Sequence, residues 1–179
     1  SKDPFTTEQQ SCLNTALNEA RSLKGLINDL LELSQIQAQQ TNVKHDHLNL
    51  YDFIEDITTS LYPLAKGKNL DLINAIQKRS FEIFADEAKL RRILINLISN
   101  GIKFTHHGHV KISCVDLDDC IEFCVSDTGI GLKEDEKEVI FEKFRQIDYS
   151  SRREYQGIGL GLTIVKELVD LHNGSLRVE

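Results

Sequence analysis

Apolar residues recur at spacings of three and four over residues 5–40, which predicts one long amphipathic helix. Thr6 or Thr7 can cap this helix, and Thr7 and Gln10 have the spacing of a capping box. The apolar stripe is so broad that other helices must cover it. We interpret the helix as part of a bundle and favour a dimeric one; a core helix of the following domain is the alternative. The stripe consists of Leu13, Ala16, Ala20, Leu23, Ile27, Leu30 and Ser34, widened by Leu17, Leu26, Leu31 and Leu33.

The rest of the chain alternates short strands with helices after a polar linker at residues 35–47. Strands are predicted where apolar residues alternate with polar ones, and helices where they recur every three or four positions. This mixture, with mainly antiparallel strands, predicts an α+β fold: a two-layer α/β sandwich preceded by a long coiled-coil-like helix. The predicted strands are 47–50, 70–76, 81–84, 109–115 and 120–127, the last two as a hairpin; the predicted helices are 51–66, 86–103 and one from Leu162 onward.

The same patterns predict which side chains face the core. Cys120 and Cys124 lie on one face of their strand, and no CxxC motif is present. We therefore expect these two cysteines, with Cys12 and Cys114, to be buried reduced thiols. The inward-facing residues predicted for the helices are Phe53, Ile54, Ile57, Leu61 and Leu64, then Leu90, Ile93, Leu94, Leu97 and Ile98; those for the hairpin are Val110, Ile112, Cys114, Ile121, Phe123 and Val125.

The composition of the chain limits the classes of protein to which it could belong. With 179 residues, 40% of them hydrophobic and 27% charged, the chain can bury one core and carry an appendage. The net charge of −7 disfavours a nucleic-acid partner, which selects for a basic surface. No apolar run approaches the roughly 20 residues of a membrane span, and no signal peptide is apparent. We expect a cytoplasmic fragment of a longer protein that could itself be anchored to a membrane, because the chain lacks an initial Met and stops within a predicted strand.

Polar residues on the helix predicted at 86–103 suggest a binding site. Asn96, Asn100 and Lys103 are spaced by four and three and so share one face. Carboxamide oxygens suit Mg²⁺, which binds oxygen ligands while bridging to phosphates, and the lysine supplies a cation for phosphate oxygens. An ordinary solvated helix face is the alternative.

Two short glycine motifs hold five of the ten glycines. The first is Asp127-Thr128-Gly129-Ile130-Gly131, and the second, residues 157–162, reads GIGLGL and feeds a predicted helix. Glycines before a helix N-terminus form an anion site, because unpaired N–H groups and the helix dipole point at the ligand. The carboxylate of the first motif and the anion site of the second, suited to phosphate, indicate that the two motifs bind opposite ends of one nucleotide. Residues 106–109, HHGH, are either a metal site or a polar turn.

Four motifs in register resemble those of sensor histidine kinases. Residues 96–105 (NLISNGIKFT) look like the N box, 127–131 the G1 box, 140–144 (IFEKF) the F box and 157–162 the G2 box. The resemblance extends upstream, since Leu23 to Gln37 is similar to the second helix of the dimerisation and histidine-phosphotransfer hairpin. It implies two domains: residues 1–42 as that second helix, without the first, and residues 43–179 as the ATP-binding catalytic domain of the Bergerat fold, cut in or before its last strand.

The resemblance also implies a role for each matching residue. Asp127 would accept the adenine amino group, Asn100 would hold Mg²⁺ with support from Asn96, and Lys103 would reach the phosphates; Asn96 and Lys103 are the expected catalytic residues. Residues 132–156 would form an ATP lid, in which Arg145, Arg152 or Arg153 would contact phosphate. The other expected nucleotide contacts are Phe104, Gly129, Ile130, Gly131, Phe144, Gly157, Ile158, Gly159, Leu160, Gly161 and Leu162.

The implied function is transfer of the γ-phosphoryl group of Mg·ATP to a histidine in two-component signalling. That histidine belongs to a hairpin helix absent here, so we expect no autophosphorylation. The implied partners are ATP, the hairpin helix, a response regulator or receiver domain, and a second copy in a homodimer. Gly101 replaces a common alanine and Ile158 a common threonine, and both changes look tolerable.

Two alternatives remain open: a non-catalytic regulatory module and an ATPase of the same fold. The ATPases place a glutamate where Asn96 stands. Because asparagine cannot act as a general base, efficient hydrolysis is disfavoured.

Overall fold

The computed structural model describes residues 5–38, 42–78, 82–117, 119–137, 139–143, 145 and 159–179. The chain divides into two compact units, Ser1–Thr41 and Asn42–Glu179. None of the helices in the described part of the chain combines the length and apolar character that a membrane span requires.

The described residues of the first unit form the helix α1 (Thr7–Gln37). Thr6 caps it: the Thr6 side chain accepts from the Gln9 N–H at 3.2 Å, and the Thr6 N–H donates to the Gln9 side chain at 2.9 Å. The helix is confirmed, but the capping box lies one residue earlier than the predicted Thr7–Gln10 pair. Much of the apolar stripe is exposed, with Leu23 at 58% and Ile27 at 49%. A core helix would bury such positions, so the stripe needs a partner, and its place in a dimeric bundle stays a prediction.

The second unit is an α+β fold, as predicted. Its strands pair in two groups: β1 with β3 antiparallel, and β2–β4–β5 in that order, with β2 parallel to β4 and β4 antiparallel to β5. Helices α2 and α3 pack together and contact strands of the β2–β4–β5 sheet. The elements are β1 (Asp46–Asn49), α2 (Leu50–Gly67), β2 (Asp71–Asn74), β3 (Glu82–Ala85), α3 (Glu87–Phe104), β4 (His109–Asp116), β5 (Ile121–Asp127), a 3-10 turn (Val139–Phe141) and α4 (Gly161–Leu171).

The core lies between the helices and the sheet. It contains most of the side chains that the sequence patterns predict to face the core. These include Ile54, Leu94, Ile98, Val110 and Ile112, each of which is fully buried. Strand β2 is shorter than predicted because the Asn74 side chain accepts from the Ile76 N–H at 3.1 Å, forming a turn that ends the strand. After α4 the chain continues as irregular residues 174–179, in which Arg177 forms an ion pair with Glu122 of β5.

Two burial predictions are wrong. Leu64 is 58% exposed, because Ala65 takes the buried position in the last turn of α2. Cys12, Cys120 and Cys124 are exposed free thiols. Cys124 points away from the core because its neighbours Phe123 and Val125 point toward it, as the two-residue period of a strand requires. Cys114 is half-buried, and burial, followed by the charge of Asp116, raises its thiol pKa.

Asp86 anchors the start of α3 and is only 4% exposed. Its carboxylate accepts from the Lys89 N–H at 3.1 Å, the Lys44 N–H at 2.9 Å and the Lys89 ammonium at 2.6 Å. Burial by itself raises the pKa of this carboxyl, but the hydrogen bonds from Lys89 and Lys44 outweigh it and lower the pKa from 3.8 to about 2. The ionised form therefore stabilises the fold above about pH 4.

We expect Asp86→Asn to lower the free energy of unfolding by about 1–3 kcal/mol at neutral pH, because an amide replaces the charged acceptor of three donors. The loss should shrink between about pH 4 and pH 2, where the wild-type carboxylate becomes protonated. Urea unfolding at several pH values measures both effects. Glu87→Gln is the matched control, since that side chain is half-exposed and forms an ion pair with Arg91. A deficit that stays constant down to about pH 2 would contradict this role of Asp86.

Candidate functional site

The polar face of α3 lies beside the start of α4. Asn96, Asn100 and Lys103 are all half-buried. A Cβ placed on Gly161 would lie 3.2 Å from Asn96 Oδ1, so the second glycine motif packs directly on this face. Asn96 Nδ2 is buried and makes no hydrogen bond within the described residues. Buried amide donors are normally satisfied, so this one has an unused hydrogen-bond donor with respect to the described residues.

Lys103 carries the positive charge of this face. Its ammonium lies 5.0 Å from the centre of the Phe104 ring, within the range of a cation–π contact. Burial, and then the neighbouring charge of Lys68, lowers the pKa of Lys103. Both causes disfavour the charged form in the free protein, and an anion placed beside Lys103 would offset them.

The first glycine motif forms a turn that packs on the end of α3. Asp127 Oδ1 accepts from the Gly129 N–H at 2.8 Å and from the Thr105 hydroxyl at 3.5 Å. The Ile130 N–H donates to the Phe104 carbonyl at 3.3 Å. A Cβ on Gly129 would lie 2.6 Å from Asp127 Oδ1 and 2.7 Å from the Phe104 carbonyl oxygen. Glycine is therefore required sterically at this position, and the Asp127 side chain is held in place while remaining exposed.

Gly101 brings α3 close to the sheet. A Cβ added there would lie 3.1 Å from a methyl group of Val110 and 3.6 Å from the Cβ of Asp127. Glycine in place of the family's common alanine is compatible with this packing, whereas an alanine here would require the Val110 side chain to move slightly. The close approach places Asp127 beside the polar residues of α3.

Thr128 holds the turn before β4. Its hydroxyl accepts from the His109 N–H at 3.0 Å and donates to the His107 carbonyl at 3.0 Å. Gly108 has φ +108°, and a Cβ there would lie 2.1 Å from the Thr128 hydroxyl oxygen. The HHGH segment is thus a polar turn that is hydrogen-bonded to Thr128 of the first glycine motif. No group of three or more His, Cys, Asp or Glu side chains in the described ranges is arranged to hold a metal ion.

Gly159 of the second glycine motif packs against Arg145, which lies within the segment predicted to be a lid. Gly159 has φ +73°, and a Cβ there would lie 2.4 Å from the Arg145 carbonyl oxygen. Leu160, the residue before α4, makes no side-chain cap, so the first N–H groups of the helix lack that partner. The Thr163 hydroxyl donates to the Phe141 carbonyl at 3.2 Å, which ties α4 to the 3-10 turn.

The structure thus brings together residues that are far apart in the sequence. Asn96, Lys103, Phe104, Asp127 and Gly161 lie around the C-terminal half of α3, whereas Ile130 extends outward and is 46% exposed. Among the predicted site residues, Phe144, Arg152, Arg153, Gly157 and Ile158 lie outside the described residues, and their roles stay predictions.

Sequence reasoning missed Thr105, Thr128 and Lys68. Thr105 is fully buried and hydrogen-bonded to Asp127, and its place directly after the Lys103-Phe104 pair could have pointed to it. Thr128 belongs to the first glycine motif itself. Lys68 contacts carbonyl groups more than 30 residues away in the sequence, and no local pattern signals such a contact.

Comparisons with known proteins show the family to which this chain belongs. Residues 85–179 match the family model described as histidine kinase-, DNA gyrase B- and HSP90-like ATPase. The sensory/regulatory protein RpfC of Xanthomonas campestris is 36% identical over 176 residues, which cover 94% of this chain and 24% of RpfC. The circadian input-output histidine kinase CikA of Synechococcus elongatus is 38% identical over 179 residues, covering 98% of this chain and 24% of CikA.

The crystal structure of full-length ShkA in complex with AMPPNP has a TM-score of 0.84 and 32% sequence identity; the likeness covers 98% of this chain and 36% of ShkA. This chain spans about a quarter of the length of RpfC and of CikA. Because the family model matches more than half of the chain, the chain belongs to the family of histidine kinase-, DNA gyrase B- and HSP90-like ATPases and is a homologue of sensor histidine kinases.

Proposed function

We propose that this chain binds Mg·ATP and donates the γ-phosphoryl group to a histidine on a hairpin helix outside this sequence, in two-component signal transduction. Its homology to histidine kinases supports a kinase-type catalytic domain. The observation that carries the proposal is the cluster around α3: a positioned carboxylate, a desolvated lysine and, beside the start of a helix, a buried amide with no partner among the described residues.

The turn Asp127–Gly131 would bind the adenine. The Gly129 N–H orients one carboxylate oxygen of Asp127, and an exposed carboxylate so held is a strong acceptor for the exocyclic amino group of the base. The absence of a side chain at Gly129 and Gly131 would let the flat base approach the backbone closely. Ile130, exposed in the nucleotide-free protein, would supply apolar contact area.

The polar face of α3 would hold the metal and the phosphates. Asn100 provides a carboxamide oxygen of the kind that Mg²⁺ accepts, and the unsatisfied Nδ2 of Asn96 fits an adjacent oxygen-rich ligand. When bound, Mg²⁺ would neutralise phosphate charge. Lys103 would contact phosphate oxygens, and the uncapped N–H groups at the start of α4 would face the triphosphate.

Phosphoryl transfer requires little further chemistry from the protein. An imidazole nitrogen of the acceptor histidine forms the new N–P bond, the bond from the γ-phosphorus to its bridging oxygen breaks, and ADP leaves. The imidazole supplies its own lone pair, so no general base is needed at position 96. The site contributes positioning and charge neutralisation, the main components of phosphoryl-transfer catalysis.

The same proposal assigns α1 to the second helix of the dimerisation and phosphotransfer hairpin, with residues 1–42 as that segment and 43–179 as the catalytic domain. The exposed apolar stripe of α1 supports it, since such a stripe is suited to a helical bundle in a homodimer. A response regulator or receiver domain would then accept the phosphoryl group from the histidine.

The test begins with calorimetric titration of this chain with AMPPNP, with and without Mg²⁺. Metal-dependent binding is the expected result. The chain is then mixed with labelled ATP and a separate hairpin protein that carries the acceptor histidine. Acid-labile label on the hairpin supports the kinase, steady ADP release without it indicates the ATPase, and the absence of nucleotide binding indicates the regulatory module.

The metal assignment predicts a selective effect of Asn100→Ala. We expect affinity for AMPPNP in the presence of Mg²⁺ to fall about 10–100-fold, the range seen when metal-site residues are replaced, while Mg²⁺-free affinity changes little. Parallel calorimetric titrations measure the two affinities. Asn14→Ala, the same change at an exposed position of α1, is the control. Equal losses with and without Mg²⁺ would exclude Asn100 as a metal ligand.

A further inference from the structure

The C-terminal end of α3 has an unusual set of hydrogen-bond partners. The last carbonyls of a helix lack partners within the helix and need others. Here the Gly101 carbonyl accepts from the Thr105 N–H at 3.0 Å, and the Phe104 carbonyl accepts from the Ile130 N–H at 3.3 Å. The carbonyls between them, of Ile102 and Lys103, are bound by a side chain from another part of the fold.

That side chain is Lys68, the residue that ends α2. Its ammonium donates to the Ile102 carbonyl at 2.9 Å, the Lys103 carbonyl at 2.6 Å and, more weakly, the Thr105 carbonyl at 3.4 Å. An ammonium has three N–H donors, and three carbonyls lie within reach of them. A cation at this end of a helix also interacts favourably with the helix dipole.

Lys68 binds the same stretch of backbone against which the first glycine motif packs. Phe104, between the bound carbonyls, accepts from the Ile130 N–H, and the Thr105 side chain donates to Asp127. Gly129 lies so close to the Phe104 carbonyl that a small shift there would displace the motif. The Lys68 ammonium therefore fixes the position of the backbone on which the Asp127–Gly131 turn packs.

Building on the proposed function, we infer that Lys68 is a positioning residue for nucleotide binding: it locks the C-terminal turn of α3 and thereby holds the adenine-binding turn and Lys103 in place. It lies outside the four sequence motifs and need not contact the nucleotide. Its side chain acts through the carbonyl groups of residues 102, 103 and 105.

The chemistry of the site favours lysine over its usual replacements. Methionine is unbranched and nearly as long as lysine, but it donates no hydrogen bond. Arginine keeps the charge, but its donors lie in a planar fork suited to carboxylates and cannot converge on three carbonyls as an ammonium does. Lys68→Met thus removes charge and hydrogen bonds together, whereas Lys68→Arg removes the convergent geometry and keeps the charge.

The first test is amide hydrogen exchange on the nucleotide-free chain. In Lys68→Met we expect the Ile130 amide to exchange about tenfold faster, the scale of one lost charge-assisted hydrogen bond, with amides of the β4–β5 ladder unchanged. AMPPNP affinity should fall by a similar factor. Lys66→Met is the matched control, since Lys66 lies two residues earlier and over the Tyr62 ring. Wild-type exchange at Ile130 in Lys68→Met overturns the inference.

A second readout separates positioning from general loosening. The charge of Lys68 contributes to the lowered pKa of Lys103, after burial. NMR titration of the Lys103 side chain should therefore show a larger rise in pKa in Lys68→Met than in Lys68→Arg, although Ile130 exchange is faster in both. A general loss of structure would not distinguish the two variants. If Lys68→Met fails to fold, Lys68→Arg decides: faster exchange at Ile130 supports the inference, and wild-type exchange overturns it.

These measurements also separate this inference from the proposed function. If the wild-type chain binds no AMPPNP, the proposed function fails. Exchange at Ile130 and titration of Lys103 in the nucleotide-free protein still report whether Lys68 holds the end of α3.

Discussion

Asp127→Asn is expected to weaken AMPPNP binding about 100-fold while leaving the fold nearly unchanged. The asparagine oxygen can still accept from the Gly129 N–H, so the turn keeps its internal hydrogen bond. The new amide group, however, would present N–H donors to the adenine amino group, which is itself a donor. The loss of one hydrogen bond to a charged acceptor, about 1.5–3 kcal/mol, accounts for most of the effect. Calorimetric titration measures the affinity, and thermal unfolding measures the fold.

The matched control is Asp119→Asn. Asp119 is exposed in the turn between β4 and β5, whereas Asp127 lies at the other end of the same hairpin, opposite Val110. Both variants change the net charge by one, so a general electrostatic effect on the anionic ligand would appear in both. Unchanged affinity in Asp127→Asn, or an equal change in the two variants, would reject the adenine assignment.

Gly129→Ala is expected to abolish detectable nucleotide binding for a purely steric reason. The added methyl would lie 2.6 Å from Asp127 Oδ1 and 2.7 Å from the Phe104 carbonyl oxygen, far inside van der Waals contact. The second obstacle is helix backbone that a side-chain rotation cannot relieve. The turn must therefore move away from α3, which removes the Ile130–Phe104 hydrogen bond and misplaces the carboxylate. We expect a stability loss of about 1–3 kcal/mol, measured by urea unfolding.

Gly131→Ala separates sterics from backbone conformation. Gly131 has φ +69°, but a Cβ there would meet no atom of the described residues within 4 Å. Alanine at this position therefore suffers conformational strain alone, about 1–2 kcal/mol, and we expect binding to be reduced rather than lost. If the two alanine variants behave alike, close packing at Gly129 is not what the motif requires.

Local patterns determined the elements of this fold well. Apolar periodicity located α1, α2 and α3 within a few residues, because a helix that buries one face must repeat its apolar side chains every three to four positions. The errors in the boundaries of these elements arose where a side chain ended or capped an element. Asn74 shortens β2 and Thr6 starts the capping box of α1, and each effect depends on one hydrogen bond that periodicity does not record.

The sequence also suggested the chemistry proposed for the site, because Asn96, Asn100, Lys103 and Asp127 lie in compact motifs whose residue types suit phosphate, metal and base. Only the tertiary structure decided how these motifs meet. Asn96 lies close to Gly161, and Gly129 packs against the end of α3. Lys68 donates hydrogen bonds to the carbonyls of residues 102, 103 and 105. Each of these contacts joins segments that are distant in the sequence. Such contacts depend on how helices pack on the sheet, whereas a sequence pattern reports only which face of each element is apolar.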